Sequence, residues 1–298
     1  MTLLAINIPT YERLESFSSI LIELENELNA LPKAHKDMIE INVFENNSPV
    51  ANQKQILCDQ IALRSGINLK FSINETNIGA DRNILKCCSA TPDATFTWVL
   101  GDDDHIVAGC FPKILSSLLE NKENLGLLIL MEAEFVCKPI FKDKLFKSYE
   151  DFARLSIKQQ RNVVWAHSLI SCNIFRSSVF DLNEATYVVN KLTPRIGLSL
   201  NFVHMRGIVN GLFRNAKEYA VLMPSFISLD CSKRLPSSFK VANWSREINR
   251  IFYFYYLWLL GELGVRVDEI PYSRDMWWLF GSKELKGWRR WFRSPFVP

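Results

Sequence analysis

The sequence predicts an α/β fold: a mostly parallel sheet flanked by helices, followed by a more helical C-terminal part. Two observations carry this. The first 130 residues alternate short β-type runs with stretches of helical periodicity, and such alternation implies right-handed crossovers, parallel strands and helices on both faces. The β runs also end in polar, turn-forming segments, as strands do when they deliver a chain to a ligand crevice.

The elements follow in order. LLAINI (3–8) reads as the first strand. Residues 14–31 carry Leu14, Phe17, Ile20, Leu21, Leu24 and Leu28 on one helical stripe. MIEINVF (38–44) is a second strand and 51–64 a second helix. LKFSIN (69–74) leads into NIGADRNILKCC, TFTWVL (95–100) leads into GDDD, and a helix follows over 109–121. GLLILM (126–131) is a further strand. Beyond it the pattern loosens: 140–162 reads as charged and loop-like or helical, 163–180 as apolar with interspersed polar residues, and 197–213 and 244–263 as helical. The reading divides the chain into a catalytic domain over 1–215 and a mainly helical region over 216–298.

Composition bounds the function. The chain has 298 residues, 48% hydrophobic and 22% charged, which is enough apolar surface for a sizeable core. A net charge of +3 excludes nucleic-acid binding by bulk electrostatics. The seven cysteines include no CxxC pair, which fits a reducing cytoplasm. MTLLAINIPTYER lacks the features of a signal peptide, and IFYFYYLWLL (251–260) falls short of the roughly 20 residues that span a bilayer.

The strand ends PTYER, ENNSP, NETNIGADRN and GDDD should converge on one crevice. Asp102, Asp103 and Asp104 stand side by side at the last of them. One such aspartate would be an ordinary turn or cap residue. Three adjacent carboxylates raise one another's pKa unless a cation neutralises them, and hard ions such as Mg²⁺ or Mn²⁺ take oxygen ligands from one or two carboxylates plus phosphate oxygens.

These residues carry a resemblance. Residues 3 to 115 resemble the family 2 glycosyltransferases of GT-A fold. LLAINIPTYER is similar to that family's first-strand signature, INVFENNSP to its Asp-Asn-x-Ser segment, ETNIGADRN to its Asn-x-Gly segment and WVLGDDD to its Asp-x-Asp metal motif. LGDDD and SLISCNIFRSS most resemble the bacterial O-antigen sugar transferases of the abequosyltransferase type.

The resemblance implies that Pro9, Thr10, Tyr11 and Arg13 line the base and ribose pocket. Glu45 stands where the family has a base-contacting Asp, with Asn47 in the same motif, and Asn77, Gly79 and Arg82 approach the nucleotide. A plain turn with a Thr10 cap, and an ordinary turn and cap around Asn77, are the alternative readings. Read as Asp-x-Asp, Asp102 faces the ribose or metal and Asp104 binds the metal. Aligned on a Leu-Asp-x-Asp-Asp form, Gly101 replaces the first Asp and Asp103 becomes the ligand. His105 is expected at the surface or behind the ligands.

Further implications concern the reaction. A nucleoside-diphosphate sugar would be the donor and a polyprenyl-diphosphate-linked glycan the acceptor, with inversion, Mn²⁺ or Mg²⁺ as cofactor, and a general base in the second half. His204 is the first candidate for that base, with Asp181 and Glu184 behind it. Ser171, Asn173 and Arg176 match the acceptor side, and Arg195, Arg206 and Arg234 are available to hold phosphate. The C-terminal MWWLFGSKELKGWRRWFRSPFVP, net +4 over 279–298, suits the headgroups of an anionic membrane, which would place the protein in the cytoplasm or at the inner face of the cytoplasmic membrane. The rival readings are a nucleotidyltransferase, for which no Gly-rich loop is present, and a catalytically silent glycan-binding or scaffold protein.

Overall fold

The structure, a computed structural model, describes residues 2–132, 143–152, 169–192, 203–215 and 218–230. An eight-stranded sheet organises them, in the order β3-β2-β1-β4-β8-β5-β9-β7. Its strands are β1 (Leu4–Thr10), β2 (Ile39–Glu45), β3 (Leu69–Ile73), β4 (Phe96–Val99), β5 (Leu125–Ile129), β7 (Lys144–Phe146), β8 (Asn173–Arg176) and β9 (Ala220–Met223). β6 (Met131–Glu132) and β10 (Ile227–Leu229) form a separate parallel pair.

β1 pairs in parallel with both β2 and β4, and β2 with β3. The chain therefore steps outward from β1 to β3 and then returns to the other side of β1. The order reverses between β1 and β4, and a topological switch point of this kind opens a crevice at the strands' carboxyl ends. β1, β4 and β5 are buried almost throughout, as strands covered on both faces must be, whereas β3 forms a half-exposed edge.

The helices of the first half match the periodicity. α1 (Leu14–Asn29) buries Phe17, Ile20, Leu21, Leu24 and Leu28. Next come α2 (Lys33–Lys36), α3 (Ala51–Ser65), α4 (Ala80–Ser89) and α5 (Phe111–Glu120). α3 stops at Gly66, whose φ of 64° gives the left-handed C-cap that glycine adopts without a Cβ penalty. α1 packs beside α3, and α4 packs beside α6 (Leu182–Tyr187) and α7 (Val203–Asn210). Asn7 ties the layers from inside: its Nδ2 donates to the Cys87 carbonyl at 2.7 Å and its Oδ1 accepts from Asn42 at 3.0 Å.

The second half departs from the expected pattern in three places. β8 runs antiparallel between β4 and β5. Residues 144–146, within the stretch read as loop-like or helical, form a strand on β9. The described part of the region read as mainly helical, 218–230, supplies strands β9 and β10, and β9 extends the sheet beyond residue 215. These short runs gain their strand character from partners distant in sequence, which local periodicity does not register. Residues 244–263 and the tail over 279–298 lie outside the described residues. Among the described residues, no helix is long and apolar enough to cross a membrane.

Candidate active site

The carboxyl ends of β1, β2 and β4 meet through a chain of charged and polar side chains. Thr10, the last residue of β1, donates its hydroxyl to Asp102 Oδ2 at 2.6 Å. Arg13, three residues on, sets Nη2 2.5 Å from Asp102 Oδ1 and Nη1 2.6 Å from Asp103 Oδ2. The contact at Oδ1 is a close ion pair lying off the hydrogen-bonding direction, so this oxygen has no directed hydrogen bond among the described residues. Asp102 is fully buried, while Asp103 and Arg13 keep 28% and 33% of their side chains exposed. The exposed face of the cluster is therefore Arg13 with Asp103.

Burial pushes the Asp102 carboxyl up to about 6, against the pull of the Arg13 guanidinium. Asp103 adds to the rise, while the Thr10 hydrogen bond and Lys54 oppose it. The site remains short of positive charge even with Arg13 in place.

Asp104 turns the other way. Its Oδ2 accepts from the Ser171 hydroxyl, and the Ser171 oxygen in turn accepts from the Gly101 backbone N–H at 2.8 Å. The indole of Trp98 donates to the Ser171 carbonyl at 2.7 Å. A Cβ at Gly101 would stand 2.7 Å from Asp104 Oδ2 and 3.3 Å from Asp103 Oδ1. Two carboxylates thus lean over one glycine, in space that a side chain at 101 would fill. A side chain at position 101 would therefore require the Asp104 carboxylate to move from Ser171.

The oxygen donors over Gly101 fit a hard divalent ion in kind. Among the described residues no set of three or more His, Cys, Asp or Glu converges as metal ligands. An ion here would take the Asp103 and Asp104 carboxylates and complete its shell with oxygens of a bound phosphate or water, which is how Mg²⁺ ordinarily binds.

Beneath β1 and β2 lies a second charge pair. Glu45 and Lys54 are both fully buried, with Lys54 Nζ 2.7 Å from Glu45 Oε2 and 2.7 Å from Thr10 Oγ1. Ser48 N–H donates to Glu45 Oε1 at 2.8 Å. Both Glu45 oxygens are therefore engaged from within the fold.

At the β2 and β3 ends an amide network sets the rim. Asn46 Oδ1 accepts from Ile78 N–H at 2.9 Å and from Asn74 at 3.0 Å, and Asn46 Nδ2 donates to Asn77 Oδ1 at 2.8 Å. Asn77 also receives Gly79 N–H at 2.9 Å, just before α4, and Gly79 holds a φ of 83°. Asn47 takes the left-handed backbone, with a φ of 60°, and reaches the Glu75 carbonyl at 3.0 Å. Tyr11, Asn47, Asn77 and Arg82 are exposed at this rim, and Pro9 pairs with Phe44 in the sheet.

The loop after the triplet is strapped from α1. Glu23 accepts from His105 Nδ1 and from Ile106 N–H, each at 2.7 Å, which puts the imidazole proton on Nδ1. Glu27 accepts from Gly109 and Phe111 N–H groups at 2.6 and 3.1 Å, capping α5. On its other side the loop bridges to β10, where Val107 N–H meets the Ser228 carbonyl at 2.9 Å.

The remaining sequence candidates separate. Ser171 joins the Asp cluster, and Asn173 lies at the same end of β8, donating to the Leu169 carbonyl at 2.6 Å. Because β8 is antiparallel and pairs Arg176 with Phe96, Arg176 sits at the opposite end of β4 from Asp102. There it donates to the Lys122 and Leu125 carbonyls and stacks over Phe96 and Tyr219. The antiparallel turn of the chain thus removes it from the acceptor side.

Asp181 accepts from Glu184 N–H at 3.1 Å as the N-cap of α6, and Glu184 holds Arg206 at 2.7 Å. His204 is fully buried on α7. Arg195 and Arg234 lie outside the described residues. Asn46, Asn74 and Asn83 lie within the strand-end segments ENNSP and NETNIGADRN, without having been named individually. Sequence reasoning missed Lys54, Glu23 and Glu27, whose only signal is a polar residue on an otherwise amphipathic helix, indistinguishable from a solvated face until partners are known.

No protein-family profile matches the chain, and no curated protein sequence does. Solved structures do. The chain is similar to S. aureus TarS residues 1–349 in complex with UDP (TM-score 0.55, 14% identity, covering 98% of this chain and 78% of that one). The same protein with UDP-GlcNAc matches at TM-score 0.53 and 14% identity, over 96% and 78% of the two chains. The mannosyltransferase PcManGT from Pyrobaculum calidifontis, in complex with GDP-Man and Mn²⁺, matches at TM-score 0.52 and 12% identity, over 90% of this chain and 66% of that one. With the strand order and its switch point, these likenesses identify the architecture as the GT-A fold of nucleotide-sugar glycosyltransferases.

Proposed function

We propose that the protein is a glycosyltransferase of the family 2 type. It would move a sugar, such as a deoxyhexose, from a nucleoside diphosphate to a lipid-linked O-antigen or other surface glycan, with inversion. One observation carries the reading: at the switch point between β1 and β4, Arg13 joins the buried Asp102 to the half-exposed Asp103 at the mouth of the crevice. Charge of both signs at that point suits a diphosphate and its cation. The resemblance of four motifs in the right order, and the UDP, UDP-GlcNAc and GDP-Man bound by structural neighbours, support it.

In this mechanism Asp103 and Asp104 would hold Mn²⁺ or Mg²⁺, which would supply positive charge to the diphosphate leaving group. Arg13 lies beside them as a second cation. Tyr11, Asn47, Asn77 and Arg82 line the nucleotide rim, and the first turn of α4 offers its N–H groups to phosphate. The acceptor oxygen attacks the anomeric carbon as the bond to the diphosphate oxygen breaks, and its proton passes to a base from the second half of the chain. The basic, aromatic C-terminal tail would hold the protein against the inner face of the cytoplasmic membrane, where a polyprenyl-diphosphate-linked acceptor resides. The catalytic domain, expected over residues 1–215, would run at least through β9 at Ala220–Met223.

The test is titration with UDP, GDP and other nucleoside diphosphates, with and without Mn²⁺ or Mg²⁺. Incubation with the matching nucleotide sugars and a polyprenyl-diphosphate-linked oligosaccharide follows. Metal-dependent binding of one nucleotide, with its release on sugar transfer, is expected. No binding of any nucleoside diphosphate would overturn the reading. A second reading, a silent glycan-binding protein, is favoured by the prior engagement of Glu45, Asp181 and Glu184. It predicts glycan binding with neither nucleotide binding nor donor turnover.

A further inference from the structure

The residue beneath the site with the most specific set of partners is Lys54, which no motif marks. Its ammonium lies fully buried at the junction of α3, β1 and β2, contacting Glu45 Oε2 and Thr10 Oγ1 at 2.7 Å each. It also faces the Phe17 ring, 5.3 Å from the centroid. An ammonium has three donors and no acceptor. Thr10 Oγ1 must therefore accept from Lys54, and its single proton is left to point at Asp102 Oδ2, 2.6 Å away.

We propose that Lys54 is a positioning residue for the donor site. It orients the Thr10 hydroxyl so that Thr10 pins the Asp102 carboxylate, and it anchors this relay to the end of β2 through Glu45. With Oδ2 pinned, Oδ1 is presented to Arg13, and Arg13 is stretched between Asp102 and Asp103 at the mouth of the crevice. It follows that Glu45 and Thr10 do not read the base: their polar atoms are committed to Lys54, Ser48 and Asp102. Glu45 is then the counter-charge that allows a cation at position 54 to be buried at all.

The proposal rests on the glycosyl-transfer reading, and its test separates the two. Lys54→Met alone would strand the buried Glu45, so the pair is removed as a unit in Lys54→Met/Glu45→Gln, which leaves no unpaired charge. Thr10→Val removes only the hydroxyl, and Thr10→Ser restores it. Binding of UDP and of GDP in the presence of Mn²⁺ is measured by calorimetry on the full chain, beside the thermal midpoint of each variant. In the expected result the Lys54/Glu45 double variant and Thr10→Val stay folded but bind the Mn²⁺–nucleotide about tenfold or more weakly, the loss usual for residues that orient metal-site ligands. Thr10→Ser recovers most of the affinity, which a merely steric role for position 10 would not require. If the unsubstituted protein binds a nucleotide and both disrupting variants bind it equally well, the relay is wrong and the glycosyl-transfer reading stands. If the unsubstituted protein binds neither of these nor any other nucleoside diphosphate, that reading falls and the relay's role falls with it.

Discussion

Arg13 places one guanidinium nitrogen 2.5 Å from Asp102 and another 2.6 Å from Asp103, so a single cation serves two adjacent carboxylates, one buried and one half-exposed. Removing it leaves Asp103 without this ion pair and Asp102 with the Thr10 hydroxyl but no guanidinium. Breaking a fully buried pair costs about 3–5 kcal/mol, and exposed pairs contribute at most about 1 kcal/mol, so Arg13→Gln should destabilise by about 2 kcal/mol in urea unfolding. Adding Asp103→Asn should return part of that loss, and strict additivity of the two changes would refute the shared pairing.

The pH dependence of stability follows from Asp102. Burial raises its folded-state carboxyl from 3.8 to about 6. In that window the folded protein holds a proton that the unfolded chain releases, so stability falls as pH rises from 3.8 to about 6 and stays lower above it. The shift corresponds to about 3 kcal/mol. Measured in EDTA, the unsubstituted protein should decline relative to Asp102→Asn across this window. Mn²⁺ should move the decline to lower pH, because a cation favours the anion. Parallel stability curves for the two proteins would refute this.

Gly101 is held small by the carboxylates above it. In Gly101→Ala the new Cβ would meet Asp104 Oδ2, which Ser171 holds in place. The expected cost is about 1–3 kcal/mol of stability from overpacking. Mn²⁺-dependent nucleotide binding should weaken as well. An alanine variant with unchanged stability and binding would mean that the turn over residue 101 is looser than its geometry indicates.

Asp181 separates structure from catalysis. As the N-cap of α6, its replacement by alanine should cost about 1 kcal/mol, whereas asparagine, an equally good cap, should cost little. Sugar transfer in Asp181→Asn then decides its chemical role: retained turnover assigns it to the cap, and lost turnover with intact stability assigns it to proton transfer.

The membrane role proposed for the tail is tested by deleting residues 283–298. With about 1 kcal/mol of attraction per basic side chain near an anionic surface, the deletion should weaken binding to phosphatidylserine vesicles by orders of magnitude at low salt. Equal binding by the full and shortened chains would place the membrane contact elsewhere or nowhere.

Much of the first half was legible because its signals are local. The α1 stripe, the helix read over 51–64 and the strands read over 3–8 and 38–44 reflect hydrophobic period and turn chemistry within a few residues. The polar turns at the strand ends do gather at one edge of the sheet, with Asp102 of the triplet joined to Thr10 and Arg13. Glu45 was legible as a departure from the resembled motif, but its role was not. Only Lys54, nine residues on and buried beneath it, shows that the carboxylate turns inward.

Local periodicity and turn chemistry are enough to specify an α/β sheet whose polar strand ends share one edge, with three carboxylates at that edge. How those carboxylates divide depends on the assembled fold. Asp102 is buried against Thr10 and Arg13, Asp103 faces outward, and Asp104 folds back to Ser171, in the turn just before β8 and some seventy residues later. The fold also decided that Arg176 leaves the site while Ser171 enters it, because β8 runs antiparallel. Strand direction and charge pairing depend on partners brought together by the fold, and no period or spacing within one segment encodes them.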